Sequence, residues 1–313
     1  MKFAYISIFI SLSLALVATH ATLPPELYWK SKLPTTQIPK AITDILHPRK
    51  GVTSVDDGKI SVDGKISVNG KTRIVYDAAP IYFYENDANE AELHDNRNLA
   101  MFLLEKDLHH GTKFNIQFTK TSDHGPTFLP GDVANSIPFS SNKLENILNY
   151  FSIKQGSTES EIVKNTISEC EAYGIKGEEK LCVTSLESMI DFTTLKLGNN
   201  VDTVSTEVNG ESGLQQYVIA NGVKKMGENN LVVCHKRNYP YAVFYCHKTD
   251  ATKVYSVPLE GADGSRVKAV AICHSDTSQW SLKHLAFQVL KVQQGTFPVC
   301  HILQQGQVVW FSK

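Results

Sequence analysis

The 313-residue chain is poor in sulfur and tryptophan, with six cysteines, four methionines and three tryptophans. It also lacks a surplus of either charge: 31 basic residues face 32 acidic ones, for a formal net charge of −1. With no basic block, it has no electrostatic footprint for nucleic acid and no polybasic stretch for an anionic membrane surface. Walker, G-x-S-x-G, H-E-x-x-H and G-x-G-x-x-G patterns are all missing, so no known motif supports a nucleotide enzyme or a hydrolase. No N-x-S/T sequon occurs, and no N-glycan is expected. Beyond the first 21 residues, no apolar run approaches the ~20 residues that a membrane-spanning helix needs.

What is present begins with a leader. Lys2 is a short positive n-region, Phe3 to Val17 is apolar, and Thr19 and Ala21 sit at −3 and −1 for cleavage before Thr22. Residues 1–21 therefore read as a secretory signal peptide, their apolar core of about fifteen residues being short for a membrane anchor. Secretion places the cysteines in an oxidising compartment, where an even count favours disulfides.

Residues 22–50 hold five prolines and read as extended or irregular, with a short helix over Lys40–Leu46. A period-seven repeat, Gly58-Lys59-Ile60-Ser61-Val62-Asp63 and Gly64-Lys65-Ile66-Ser67-Val68-Asn69, follows. Its Asp-Gly and Asn-Gly steps suit tiny hairpins, but two units cannot bury a core, which favours a linker. The aromatic stretch Tyr76–Tyr84 and the polar Asn86–Asn98 complete a variable segment over 22–98.

From Leu99 the texture changes. Strands are expected at Met101–Leu104 and Phe114–Phe118 around the turn His109-His110-Gly111-Thr112. Three helices follow: one capped by Ser140 or Ser141, one opening with Thr158-x-x-Glu161 and reaching Cys170, and one opening with Thr184-x-x-Glu187 and stopping at Gly198. Past Val201 the apolar period becomes two. Strands are expected at 216–220, 231–235, 241–247, 253–258, 267–274, 298–303 and 308–311, with one helix near Lys283–Leu290. The fold class is α+β, a helical segment followed by a mostly antiparallel β region.

Four of the six cysteines are followed directly by histidine: Cys234-His235, Cys246-His247, Cys273-His274 and Cys300-His301, separated by 10, 25 and 25 residues. Chance gives this with a probability of roughly 10⁻⁵, so the pairs are one unit. Neighbours on a strand point to opposite faces. Histidines converging on one face thus leave the cysteines on the other, which suggests histidines as metal ligands and cysteines as cross-links. Imidazole suits zinc and copper, and a secreted protein without thiolate ligands favours Cu(II). Two Cys₂His₂ zinc sites are the rival arrangement, although the tight C-x₂₋₄-C turn usual in such sites is absent. Cys170 and Cys182 read as a disulfide between two helices, and the remaining four cysteines allow three connectivities. His94, His109, His110, His124 and His284 read as surface or satisfied core residues.

The CH-x₁₀-CH-x₂₅-CH-x₂₅-CH spacing closely resembles the signature of the plant BURP-domain proteins. The likeness runs through FLLEKDL (102–108), FLPGDVANSIPFSSNKL (128–144), ECEAYGIKGEEKLCVTSLESMIDF (169–192), YPYAVFYCHK (239–248) and KHLAFQVLKVQQGTFPVCH (283–301). It covers residues 99–313. LPPELYWKSKLP (23–34) and the short GK repeat look most like the dehydration-responsive branch. The resemblance implies a plant protein secreted to the apoplast or cell wall, or routed to a vacuole. It also implies copper as cofactor, with His235, His247, His274 and His301 as ligands and disulfides near the metal. Some members of the family are copper- and oxygen-dependent cyclases that join a Tyr or Trp side chain to a carbon of a core peptide in the same chain. Here the corresponding stretch TKTSDHGPTFLP (119–130) has no Tyr or Trp, and Tyr28, Trp29, Tyr76, Tyr82 and Tyr84 lie in no core of that kind.

Three readings of function follow. The first is a secreted copper-binding protein acting in stress or development. The second is a copper-dependent peptide cyclase, and the third a non-catalytic cell-wall or storage protein. Copper ions, cell-wall components and a peptide substrate are the partners these readings name; nucleic acid and a membrane span are not among them.

Overall fold

Pro24 and Pro25 start the first helix, because proline at N1 has φ preset and no N–H to orphan. Glu26 in the first turn and Lys30 and Lys32 in the last complement the helix dipole. Helix α1 (Pro25–Lys32) is joined by α2 (Lys40–Leu46), which follows Pro39. The second helix matches expectation, whereas α1 replaces extended chain. The computed structural model describes residues 23–47, 54–56, 59–61, 102–118, 126–174, 177–209, 213–248 and 250–313. The leader, the second repeat unit and the 76–98 stretch lie outside them. β1 (Ser54–Asp56), just ahead of the first repeat unit, pairs antiparallel with β2 (Lys59–Ser61) inside it.

The rest alternates short helices and strands. β3 (Phe102–Leu104) and β4 (Lys113–Ile116) precede α3 (Gly131–Ser136), α4 (Leu144–Tyr150) and α5 (Thr158–Glu171). Then come β5 (Glu179–Val183), α6 (Leu186–Leu197), β6 (Val201–Val204), β7 (Glu207–Val208), β8 (Gln215–Ile219) and β9 (Lys224–Glu228). The chain closes with β10 (Leu231–Arg237), β11 (Val243–Lys248), β12 (Thr252–Gly261), β13 (Arg266–His274), α7 (Leu285–Leu290), β14 (Val299–Ile302) and β15 (Val308–Ser312). Among the described residues every strand pair is antiparallel, so the α+β class holds.

Two helix starts shift by one residue. Ser157 caps α5 and Ser185 caps α6, each accepting the N–H three residues on, where Thr158 and Thr184 were expected. Serine at N3 of α6 explains the second shift: the Ser188 hydroxyl accepts the Ser185 N–H and completes a box without glutamate. Gly198, at φ +78°, ends α6 as expected. The strands β5, β6, β7 and β9 were not expected. They are short and polar, and pairing with neighbours decides them rather than their own alternation.

Two sheets carry the architecture. One has the order β5-β11-β10-β15-β6; the other has eight strands, with β3-β14-β13-β12-β8-β4 as its path and β7 and β9 at its margins. Leu231, Val233, Val309 and Phe311 of the first meet Val254, Val270, Ile272 and Leu303 of the second in one buried layer. The outer face of the five-stranded sheet is covered by α1, α2 and α6. Trp29 is 1% exposed there, 5.0 Å from Trp310 between ring centroids, and its Nε1–H donates to the Thr36 carbonyl at 2.8 Å. Thr36 in turn donates to the Val201 carbonyl at the start of β6. The N-terminal helices are therefore part of this core.

Emptying that site should cost as much as a central core truncation. Trp29→Ala is expected to lower unfolding free energy by about 3–5 kcal/mol in urea denaturation. Leu27→Ala, two residues away but 51% exposed, should change it by less than about 0.5 kcal/mol. Equal effects would show that α1 is not docked in solution.

Candidate metal centre

The register of two strand pairs builds the site. Cys234 lies directly opposite Cys246 on β10 and β11, and Cys273 directly opposite Cys300 on β13 and β14. Both pairs are disulfide-bonded, as are Cys170 and Cys182, so no free cysteine remains. Cys182 lies on β5, and that bridge joins a helix to an edge strand rather than to a second helix. With all six sulfurs oxidised, a Cys₂His₂ zinc arrangement has no thiolates to use.

Opposed cysteines force the following histidines into diagonal positions on the other face. His235 opposes Tyr245 and His247 opposes Val233; His274 opposes Val299 and His301 opposes Ile272. Diagonal residues on one face stand ~7–8 Å apart, within reach of ring side chains. The Nε2 atoms of His235 and His247 are 3.2 Å apart, and those of His274 and His301 are 3.4 Å apart. The His235 and His301 ring centroids, one from each sheet, are 6.4 Å apart. All four predicted residues thus meet between the sheets, as two close pairs. Among the described residues, no three His, Cys, Asp or Glu side chains close around one point.

His235, His274 and His301 are buried. Burial is the main cause holding their pKa values below the ordinary histidine range, and neighbouring imidazoles add to it. For His274 the value falls to about 3, with His247 and His284 as the contributing neighbours and Glu178 opposing them. Rings this reluctant to protonate are poor proton acceptors near neutral pH but are in the neutral form that metals bind.

Two acceptors behind the rings were not anticipated. Gln307 Oε1 lies 2.9 Å from His235 Nδ1. Glu178 Oε1 lies 2.7 Å from His247 Nδ1, a charge contact whose angle falls outside hydrogen-bond alignment. The same oxygen accepts the Tyr245 hydroxyl at 3.1 Å. Glu178 stands just before β5, a strand that sequence periodicity does not reveal. His284 is a satisfied core residue, as expected: its Nδ1 accepts the Ala286 N–H at 3.1 Å and its ring lies 4.4 Å from that of Trp280. His109 and His110 are exposed, also as expected; His94 and His124 lie outside the described residues.

Each pair offers two nitrogens at ligand spacing, and among the described residues no third side chain completes either pair. Two ligand atoms about 2.0–2.1 Å from one tetrahedral ion stand about 3.3–3.4 Å apart, close to the separation within each pair. Four imidazoles without thiolates suit zinc or copper, and the divalent affinity order favours copper.

A profile of the BURP domain matches residues 101–312. The chain belongs to the BURP-domain family of plant proteins. It is 52% identical over 236 residues to the BURP domain protein RD22 of Arabidopsis thaliana, covering 74% of this chain and 60% of that protein. It is 48% identical over 234 residues to BURP domain-containing protein 3 of rice (Oryza sativa subsp. japonica), covering 73% and 54%. Rice BURP domain-containing protein 5 is 39% identical over 298 residues, covering 93% and 88%. The chain thus spans little more than half the length of the first two. No helix among the described residues is long and apolar enough to cross a membrane.

Acid should loosen this site. Unfolded histidine titrates near 6.5, so as pH falls below that value the unfolded chain takes up protons that the buried rings refuse, and stability drops. The metal-free protein is expected to melt at a lower temperature at pH 4.5 than at pH 7. His274→Asn should flatten that slope. An unchanged slope in this variant would show that His274 is solvated.

Proposed function

We propose that this protein is a secreted copper-binding protein whose ligands are His235, His247, His274 and His301. The observation that carries the reading is the meeting of all four motif histidines on one inter-sheet face, as Nε2-to-Nε2 pairs 3.2 and 3.4 Å apart. The dry flanking layer of Val233, Ile272 and Val309 keeps water out, and the disulfides hold the strands that present the rings. Bound copper supplies a redox-active centre open to oxygen chemistry. The protein residues position it, and oxidised sulfur next to each ligand cannot be consumed as a thiolate would be. The apoplast or cell wall, in a stress or developmental response, is the setting the family resemblance supports.

Peptide cyclisation is the enzyme reading. Tyr28 and Trp29 sit on the helix-covered face of the five-stranded sheet, opposite the histidines, with Tyr28 donating to Asp191 and Trp29 buried. This disfavours them as cross-linking partners in the folded chain. A cyclase would act on a peptide outside the described residues or on another molecule. The third reading, a wall or storage protein, needs no metal.

Copper analysis after dialysis separates these. Wild-type protein should retain copper, and the variant with all four histidines changed to alanine should lose it; equal stoichiometry sinks the ligand assignment. Copper at a hundred times its dissociation constant should add about 2.7 kcal/mol of stability, reversed by a chelator. Mass spectrometry after incubation with Cu(II) and oxygen tests catalysis: loss of two hydrogens from a Tyr- or Trp-containing peptide supports a cyclase. The peptide spanning residues 23–47 should keep its mass.

A further inference from the structure

We propose that the Cys170–Cys182 disulfide is a thiol-exchange site: an external dithiol reduces it ahead of the other two bridges, and its reduction releases edge strand β5 from the rim of the histidine slot. The inference goes beyond the copper reading above and needs no metal.

Burial separates the three bridges. Cys234, Cys246, Cys273 and Cys300 are all 0% exposed, so a reductant reaches them only when a sheet opens. Cys170 and Cys182 are half-buried, and a thiolate in solution can meet them in the folded chain. Thiol–disulfide exchange depends on such access, and exposed bridges are the labile ones. Position separates them as well. The buried bridges each cross two neighbouring strands inside a sheet. Cys182 lies on β5, which ends the five-stranded sheet and, among the described strands, pairs with β11 alone.

Little else holds the first residues of β5. Glu179 and Leu181 are exposed, Lys180 and Cys182 are half-buried, and Val183 alone enters the core beneath α6. Lys196 pairs with Glu179 at the surface, where an ion pair contributes little. Lys180 adds one hydrogen bond, to the Glu169 carbonyl at 3.2 Å. Helix α5, on the other side of the bridge, has anchors of its own. Val163 and Ile167 pack with Tyr239, Tyr241 and Val243, and Thr166 donates to the Asn238 carbonyl at 2.8 Å. Glu169 meets the buried Arg237 at 2.7 Å. Breaking the bridge therefore leaves α5 docked and loosens β5. Glu178 stands immediately ahead of that strand, 2.7 Å from His247 and accepting from Tyr245. The slot thus opens on its β11 side while the two buried bridges keep the histidine strands in register.

The exchange balances with a dithiol as the reductant. One of its thiolates attacks a sulfur of the bridge and forms a mixed disulfide, and its second thiol displaces the protein sulfur. Two electrons and two protons pass to Cys170 and Cys182, which become thiols, and the reductant leaves as a disulfide.

The test incubates the full chain, its three bridges intact, with dithiothreitol under native conditions. Free thiols are trapped by alkylation and mapped by mass spectrometry. Cys170 and Cys182 should be labelled at least about tenfold faster than the other four, because the buried bridges wait for a larger opening. In the singly reduced protein, amide hydrogen exchange should rise across Glu179–Val183 while Leu231–Arg237 and Arg266–His274 stay protected. The double variant Cys170→Ser with Cys182→Ser should show the same exchange pattern without reductant. Reduction of all three bridges together, or of a buried bridge first, overturns the inference even if the variant fails to fold. So does selective reduction that leaves exchange across Glu179–Val183 unchanged.

Discussion

The site depends on where two pairs of cysteines face each other. A disulfide between directly opposed residues of antiparallel strands leaves no freedom of register: Cys234 can meet Cys246, and Cys273 Cys300, in one alignment only. Because side chains alternate with period two, a slip of one residue would carry a whole strand's inner set to the outer face. The bridges thus pin the following histidines to diagonal positions on the opposite face. The Cys-His dipeptide is the shortest unit that can do both tasks, since the alternation of a strand separates adjacent residues by the thickness of the backbone. A cluster of imidazoles between sheets adds little stability by itself, and the cross-links hold it in register.

The electrostatics of the slot follow from its burial. Desolvation keeps His235, His274 and His301 uncharged, and each ring would raise the cost of protonating the next. Arg237, two residues past His235 on the same strand face, adds a positive charge, with Glu169 2.7 Å away as its partner. Burial lifts the Glu169 carboxyl above its usual range although Arg237 pulls the other way. Glu178 is the buried carboxylate nearest the pair on β10 and β11. A divalent ion placed between neutral rings would need such a counter-charge, because an uncompensated buried charge is costly. The slot therefore has acid groups at its edge and imidazoles within.

Much of this was legible in the sequence for a simple reason: strands and helices with their own apolar periodicity can be read from local pattern. Leu231–Arg237, Val243–Lys248 and Arg266–His274 are such strands, and Gly198 stops its helix where only a residue tolerant of positive φ fits. The split of histidine from cysteine followed from alternation and was visible before any pairing was known. The connectivity was not, because nothing local says which strands are neighbours. Glu179–Val183 was hidden for the same cause. With alternating exposed and half-buried residues ahead of Val183, it becomes a strand only by pairing with β11. Missing that strand meant missing Glu178. Gln307 was missed too, because it stands one residue ahead of β15 and only the pairing with β10 brings it beside His235.

The N-terminal helices complete the argument about what the slot can reach. Trp29 and Trp310 pack together, their rings tilted, on one side of the five-stranded sheet, while His235 and His247 project from the other. Cys234, Cys246, Val232 and Phe244 lie in the layer that α1 and α2 cover. A sheet separates these aromatic groups from the histidines, and the chain cannot bring Trp29 to them without undocking α1 from Leu186, Met189 and Ile190. Undocking would expose the largest side chains of that layer, at a cost comparable with the core truncations above. The same helices that bury aromatic residues thus keep them from the opposite face, where the histidines lie. The proposed metal capture needs only the register of the strands; chemistry on a peptide needs, in addition, a segment that enters between the sheets.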